Sequence, residues 1–158
     1  MSGVEANDAT ITDLHGRLER GRERAALYQS REALFGWEQT EYPQLGDLAR
    51  LIEPHAALWA IAAGYSRSYP LWMEGPFVEL SPEAIEGSIG DWQRALNKLT
   101  KELAGLEGPQ LVVKHLKERI EDFSSYLPLI SSMLNPGLRD RHWRWLRGEV
   151  GRDLQPTK

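Results

Sequence analysis

Ser81-Pro82-Glu83-Ala84-Ile85-Glu86-Gly87-Ser88-Ile89-Gly90-Asp91-Trp92-Gln93-Arg94-Ala95-Leu96-Asn97-Lys98-Leu99-Thr100-Lys101-Glu102-Leu103 is the stretch that decides the fold. Ile85, Ile89, Trp92, Leu96, Leu99 and Leu103 recur in a strict 4-3-4-3-4 pattern, which places them on one face of an α-helix. The start is equally plain. Ser81 can cap the first turn, Pro82 sits where a missing N–H costs nothing, and Glu83 lies near the positive end of the helix dipole. Gly105 and Gly108-Pro109 read as the stop.

Downstream, Val112, Leu116, Ile120 and Phe123 mark another helix, with Leu127, Ile130 and Leu134 keeping its register. Pro128 removes a backbone donor and collides with the carbonyl of Ser124, so a break is expected near Ser125–Tyr126. A short helix from Leu127 to Leu134 should follow. Asn135-Pro136-Gly137 then reads as a corner, with Gly137 free to take positive φ, before a last helix from Leu138 to Val150.

Upstream, Tyr42-Pro43 opens a helix whose buried face is expected to hold Leu45, Leu48, Leu51, Ile52, Leu58, Trp59, Ala62 and Tyr65. Pro54 should kink or stagger it, and it can run on to Trp72 despite Pro70. Phe77 to Leu80 reads as an extended connector with Phe77 turned inward. Residues 10–36 form a lead-in helix with a thin apolar seam, ended by Gly36. Residues 1–9 are read as a flexible N-terminus and 152–158 as a C-terminal tail, leaving a helical domain over 10–151. No stretch alternates with period two. The expected fold is all-α: an elongated bundle of five to six amphipathic helices with Pro/Gly corners.

The 158 residues suffice for one domain with a real core. Composition is that of an ordinary folded protein, with 27% charged and 41% hydrophobic residues. A net charge of -4 offers no general attraction to phosphate backbones or anionic membranes. The chain has no cysteine, which excludes disulfides, thiolate catalysis and cysteine-based metal sites. Neither a signal-like start nor a membrane-length apolar run is visible, so a soluble, intracellular protein is expected.

Catalytic chemistry finds little purchase. Gly16 and Gly21 have the glycine spacing of a phosphate-binding loop, yet Arg22-Glu23 stands where Lys and Ser/Thr are needed, and no strand precedes them. His15, His55, His115 and His142 show no metal-ligand spacing. The serines show no nucleophile elbow. Catalytic, cofactor and metal residues are therefore expected to be none. The one unusual local composition is Arg139 to Arg147. On a helix Trp143, Leu146 and Val150 share a face, while Trp145 points about 200° away from Trp143, leaving Arg144 and Trp145 as a candidate exposed interface. Arginine beside exposed tryptophan also suits single-stranded nucleic acid, although the acidic balance speaks against it.

Arg31-Glu32-Ala33-Leu34-Phe35-Gly36, Tyr42-Pro43 with Leu45, and Leu58-Trp59 stand in order along the chain. Trp92, Phe123, Leu127-Pro128-Leu129-Ile130, Leu134-Asn135-Pro136 and Arg141-His142-Trp143 follow. Taken in this order, they resemble the N-terminal part of the dynein heavy chain linker region. The resemblance spans about Gln29 to Gly151, with Gly137 and the Trp143-Arg144-Trp145 doublet as local departures. It implies a fragment of an all-helical arm that lies across a ring of AAA+ modules and couples their cycling to microtubule-based movement. Leu34, Phe35, Gly36, Tyr42, Pro43, Trp59, Pro128, Asn135, Pro136, Arg141, His142 and Trp143 would be structural or interface residues.

The resemblance further implies no cofactor in this chain, with ATP and Mg held elsewhere in the parent motor. Partners would be the rest of the heavy chain (linker and AAA+ ring) and tail-associated chains, with the microtubule reached only indirectly and no membrane involved. The expected location is the cytoplasm and cytoskeleton, with a cilium or flagellar axoneme as the narrower option. The alternative reading is a stand-alone α-helical module that binds protein or nucleic acid through the Arg/Trp face of 138–150.

Overall fold

The computed structural model describes residues 2–151. Six α-helices follow one another: α1 Ser2–Leu34, α2 Pro43–Glu74, α3 Pro82–Glu102, α4 Glu107–Ser124, α5 Leu127–Met133 and α6 Asp140–Val150. A single 3-10 turn, Phe77–Glu79, joins α2 to α3 where an extended connector was expected. No strand occurs among the described residues, and the all-α expectation holds. The tail expected over 152–158 lies outside the described residues, as does Met1.

The core is a three-helix body made by the second half of α2 with α3 and α4. Leu58, Ala62 and Tyr65 of α2 meet Ile85, Ile89, Leu96, Leu99 and Leu103 of α3 and Val113, Leu116, Ile120 and Phe123 of α4. The whole apolar stripe read from α3 is used, with Trp92 half-buried at its middle. Ser81 caps that helix by accepting a hydrogen bond from the Ala84 N–H. On α4 the buried register is shifted by one residue at its start: Val113 is buried and Val112 lies at the edge.

Aromatic rings hold the three helices together at one end. Trp72 of α2 stacks on Phe123 of α4 and also meets Trp92 of α3, while Tyr69 approaches Phe123 edge-on. Gly64 makes room for this. A Cβ there would lie 3.2 Å from the Trp92 ring.

Helices α1 and α2 form a long antiparallel hairpin. Gly21 faces Leu45, His15 lies 3.7 Å from Glu53, and Val4 reaches the core beside Trp59. Leu18 and Ala25, seven residues apart, are the buried positions of α1. The helix starts at Ser2, ahead of the expected Thr10, so the stretch read as a loose N-terminus is helical from Ser2 onward. Its long partner α2 supplies a surface against which even a polar first turn can be extended.

Helix α2 runs unbroken through Pro54 and Pro70, so neither proline staggers it into two helices. Its first half departs most from expectation. Leu48 and Leu51, expected inside, are 48% and 68% exposed. Among the described residues the core that α2 builds with α3 and α4 begins at Leu58, and the first half of α2 packs on α1 through Gly21–Leu45 and His15–Glu53.

The α4–α5 break falls at Ser125–Tyr126, where Pro128 requires it. Gly108-Pro109 lies inside the first turn of α4 rather than in the connector, since proline at the third helical position loses a donor that has no intrahelical acceptor. Gly105, with φ of 90°, makes the preceding turn.

Candidate interaction surfaces

The residues singled out in the sequence fall on three separate parts of the fold. The first is the tip of the α1–α2 hairpin. Gly36 adopts φ of 67°, its N–H reaches the Ala33 carbonyl and that of Trp37 reaches the Glu32 carbonyl. This pair of bonds is a Schellman ending, and only glycine takes the left-handed conformation there without strain. The Glu32 carboxylate then accepts hydrogen bonds from the Thr40 N–H and hydroxyl, both at 2.8 Å, and Gln29 donates to the Thr40 carbonyl. The loop is thus tied down, and it holds apolar side chains in water. Leu34 is 81% exposed, Phe35 66% and Trp37 67%, the last two with ring centres 5.3 Å apart. Tyr42 and Pro43 close the loop and start α2.

The second part is the groove beside Trp59. Val4, Trp59, Ala62, Leu111, Val112 and Leu116 line an apolar trough of about 420 Å³ between α2, α4 and the start of α1. A neighbouring open cleft is more polar. There Arg119 lies over the rings of Tyr65 and Tyr69, at 5.8 Å and 5.4 Å from their centres. The Tyr65 hydroxyl donates to the Arg119 carbonyl at 3.1 Å. Burial pushes the Tyr65 phenol above its usual range, with Arg119 opposing that shift.

The third part is the corner and helix after α5. Asn135 builds the turn with both its oxygens: Oδ1 accepts from the Gly137 N–H at 2.8 Å, and the carbonyl accepts from Leu138 at 2.9 Å. Gly137 does not take positive φ, contrary to expectation. Glycine matters there for proximity, because a Cβ would lie 3.0 Å from Asn135 Oδ1. Pro128 sits at the second position of α5, and Pro136 within the turn.

In α6, His142 takes a local role. Its Nδ1 accepts the Arg139 N–H at 3.0 Å, closing the first turn of the helix from the third position. That bond requires the ring proton on Nε2, so the approach of Arg141 Nε to Nε2 brings two donors together. Trp143 is buried, whereas Arg144 and Trp145 are exposed, Trp145 at 65%. Helical pitch alone separates the two tryptophans.

The fold brings Leu34, Phe35, Gly36, Tyr42 and Pro43 together at the hairpin tip, while Trp59 stands apart on the core. Trp37, Leu48 and Leu51 were missed as exposed apolar residues. For Trp37 a signal existed, since it follows the helix-ending Phe35-Gly36 directly. Among the described residues, no three His, Asp or Glu side chains converge as metal ligands, and no helix is long and apolar enough to cross a membrane.

Residues 45–158 match the family model described as dynein heavy chain, N-terminal region 2. The chain belongs to the dynein heavy chain family. It is 32% identical over 155 residues to dynein axonemal heavy chain 3 of Homo sapiens, covering 98% of this chain and 4% of that protein. Dynein axonemal heavy chain 1 of Mus musculus is 31% identical over 140 residues, covering 89% of this chain and 3% of its own. Dynein axonemal heavy chain 2 of Homo sapiens is 29% identical over 144 residues, at 91% and 3%. The chain therefore spans only a few per cent of the length of these dynein heavy chains. No solved structure matches it. The identity with the human heavy chain 3 takes in α1, ahead of the family model's first residue, so the whole hairpin belongs to the likeness.

Proposed function

We propose that this chain serves as a non-catalytic mechanical segment of a dynein heavy chain, within the linker arm that couples AAA+ cycling to movement along microtubules. The observation that carries this reading is the combination of a closed three-helix body with a corner at Asn135–Gly137 and a long hairpin whose apolar tip stands in water. A lever needs a body that does not deform, a place where rotation concentrates, and surfaces that join it to its neighbours. Its partners are then the rest of the heavy chain, including the linker and AAA+ ring, and tail-associated chains. ATP and Mg belong to the ring. The axonemal names of the relatives favour a cilium or flagellum as its place.

The test uses a full-length heavy chain carrying this segment, with the corner perturbed by G137A, whose methyl group would press on Asn135 Oδ1. Gliding velocity and ATP hydrolysis are measured on the same preparation. A lever role gives slower gliding at unchanged hydrolysis. Unchanged gliding would sink the proposal.

A further inference from the structure

The trough beside Trp59 and the cleft beside Tyr69 are two ends of one groove, since Tyr65 and Arg119 line both. Its walls are α2 and α4, which run in the same direction. Trp59 and Leu111 stand at one end, Tyr65 and Arg119 in the middle, and Tyr69 and Phe123 at the other. Leu111 and Arg119 are eight residues apart, about 12 Å of helix.

The two ends differ in chemistry. Among the described residues that line the trough there is no carboxylate, and Arg119 is the only permanently charged side chain. Glu121 and Asp122 line the cleft on the far side of Arg119. Arg119 itself is half-buried, with its guanidinium held against the rings of Tyr65 and Tyr69. No ion pair among the described residues includes it. A guanidinium carries five N–H donors in a planar fork that matches a carboxylate, and this one faces an open groove without a counter-ion.

We propose that the groove binds an amphipathic helix of a partner protein, with apolar side chains seated on Trp59 and Leu111 and a carboxylate on the Arg119 fork. Charge complementarity selects that occupant. A purely apolar helix would seal Arg119 away from water unpaired, which is costly, and a basic one would meet like charge. A carboxylate coming along the trough meets no acid, whereas Glu121 and Asp122 repel it from the other end. The apolar anchors therefore fall on the Trp59 side. Leu111 at the lip is 68% exposed, so the trough of about 420 Å³ cannot enclose a small molecule, whereas a helix brings its own cover. The inference does not depend on the linker reading.

The test titrates the 158-residue chain with a capped peptide of about sixteen residues. The peptide is alanine and glutamine throughout, except for glutamate at its fourth position and leucine at its eleventh and fourteenth. These three share a helical face, the acid lies in the favourable first turn, and its distance from the leucines is close to that from Arg119 to Leu111. Nitrogen–proton NMR spectra are expected to show the largest shifts at the Trp59 indole and the Arg119 side chain, with half-saturation below about 1 mM. Glutamine in place of the glutamate should weaken binding about tenfold, and lysine further. In R119Q the glutamate and glutamine peptides should bind alike. If R119Q should fail to fold, the three peptides on the unaltered chain decide. Equal affinity of the three would overturn the proposal, as would a glutamate preference that persists in R119Q. So would the absence of shifts at about 1 mM peptide, or largest shifts at the hairpin tip or α6.

Discussion

The Phe123 ring of α4 lies on the Trp72 ring of α2 with centroids 4.9 Å apart and planes 29° from parallel. Phe123 is also almost wholly buried. The contact joins the last turn before the Pro128 break to the last turns of α2, so the end of the body is closed at the point where the chain leaves it for α5.

Phe123→Ala should therefore be costly. Losing a buried phenylalanine and leaving a cavity typically costs about 3–5 kcal/mol. For a domain of this size the melting temperature is expected to fall by roughly 6–20 °C. Calorimetry or thermal circular dichroism reads this, and a loss under about 1 kcal/mol would mean that the ring is not a structural anchor.

Alkaline stability should depend on Tyr65. Its folded-state phenol is raised above the ordinary value near 10, because burial disfavours the phenolate. Its contribution is thus fully present below pH 10 and is lost as pH rises through the folded value. Tyr65→Phe loses the bond to the Arg119 carbonyl, at a cost of about 1 kcal/mol near neutrality. Its stability should then fall less steeply above pH 10 than that of the unaltered chain. Denaturant titrations at neutral and alkaline pH compare the two slopes.

At the corner, Asn135→Ala removes the side-chain acceptor for Gly137, while Gly137→Ala pushes a methyl group against it. Each should cost about 1 kcal/mol or less globally. Amide exchange of Gly137 is expected to accelerate in Asn135→Ala, and unchanged protection of that amide would contradict the hydrogen bond.

His142 acts as a helix-capping side chain. His142→Ala should destabilise α6 by about 1 kcal/mol, and His142→Gln, which can accept the same N–H, should restore most of it. The readout is backbone chemical shifts of the first turn of α6. Equal behaviour of Ala and Gln would show that the cap contributes nothing.

Periodicity revealed the body and concealed its edge. The α3 stripe was legible because all its members meet the same partner layer, and the break at Pro128 because its cause is local. Leu48 and Leu51 belong to the same α2 pattern as Leu58, so sequence alone assigned them the same burial. Where α3 and α4 end relative to α2 is a matter of tertiary length, invisible in the spacing. Gly137 misled for a different reason: its small size, not its freedom of φ, is what the turn uses. The tip motif around Leu34-Phe35-Gly36 was visible as a family pattern, but the Glu32–Thr40 bonds that hold it depend on a loop folding back eight residues. His142 stood out as part of the motif, and only geometry shows it capping its own helix.

The claim on which the rest depends is that the second half of α2, α3 and α4 form one cooperative body, with the hairpin tip and α6 as attachments. Hydrogen exchange of the 158-residue chain, followed by mass spectrometry, tests it most directly. Peptides around Leu58–Tyr69, Ile85–Leu99 and Val113–Phe123 are expected to exchange slowly and together, with those of Leu34–Tyr42 and α6 faster. Protection of α3 and α4 no greater than that of α6, or separate exchange of the three core segments, would contradict it.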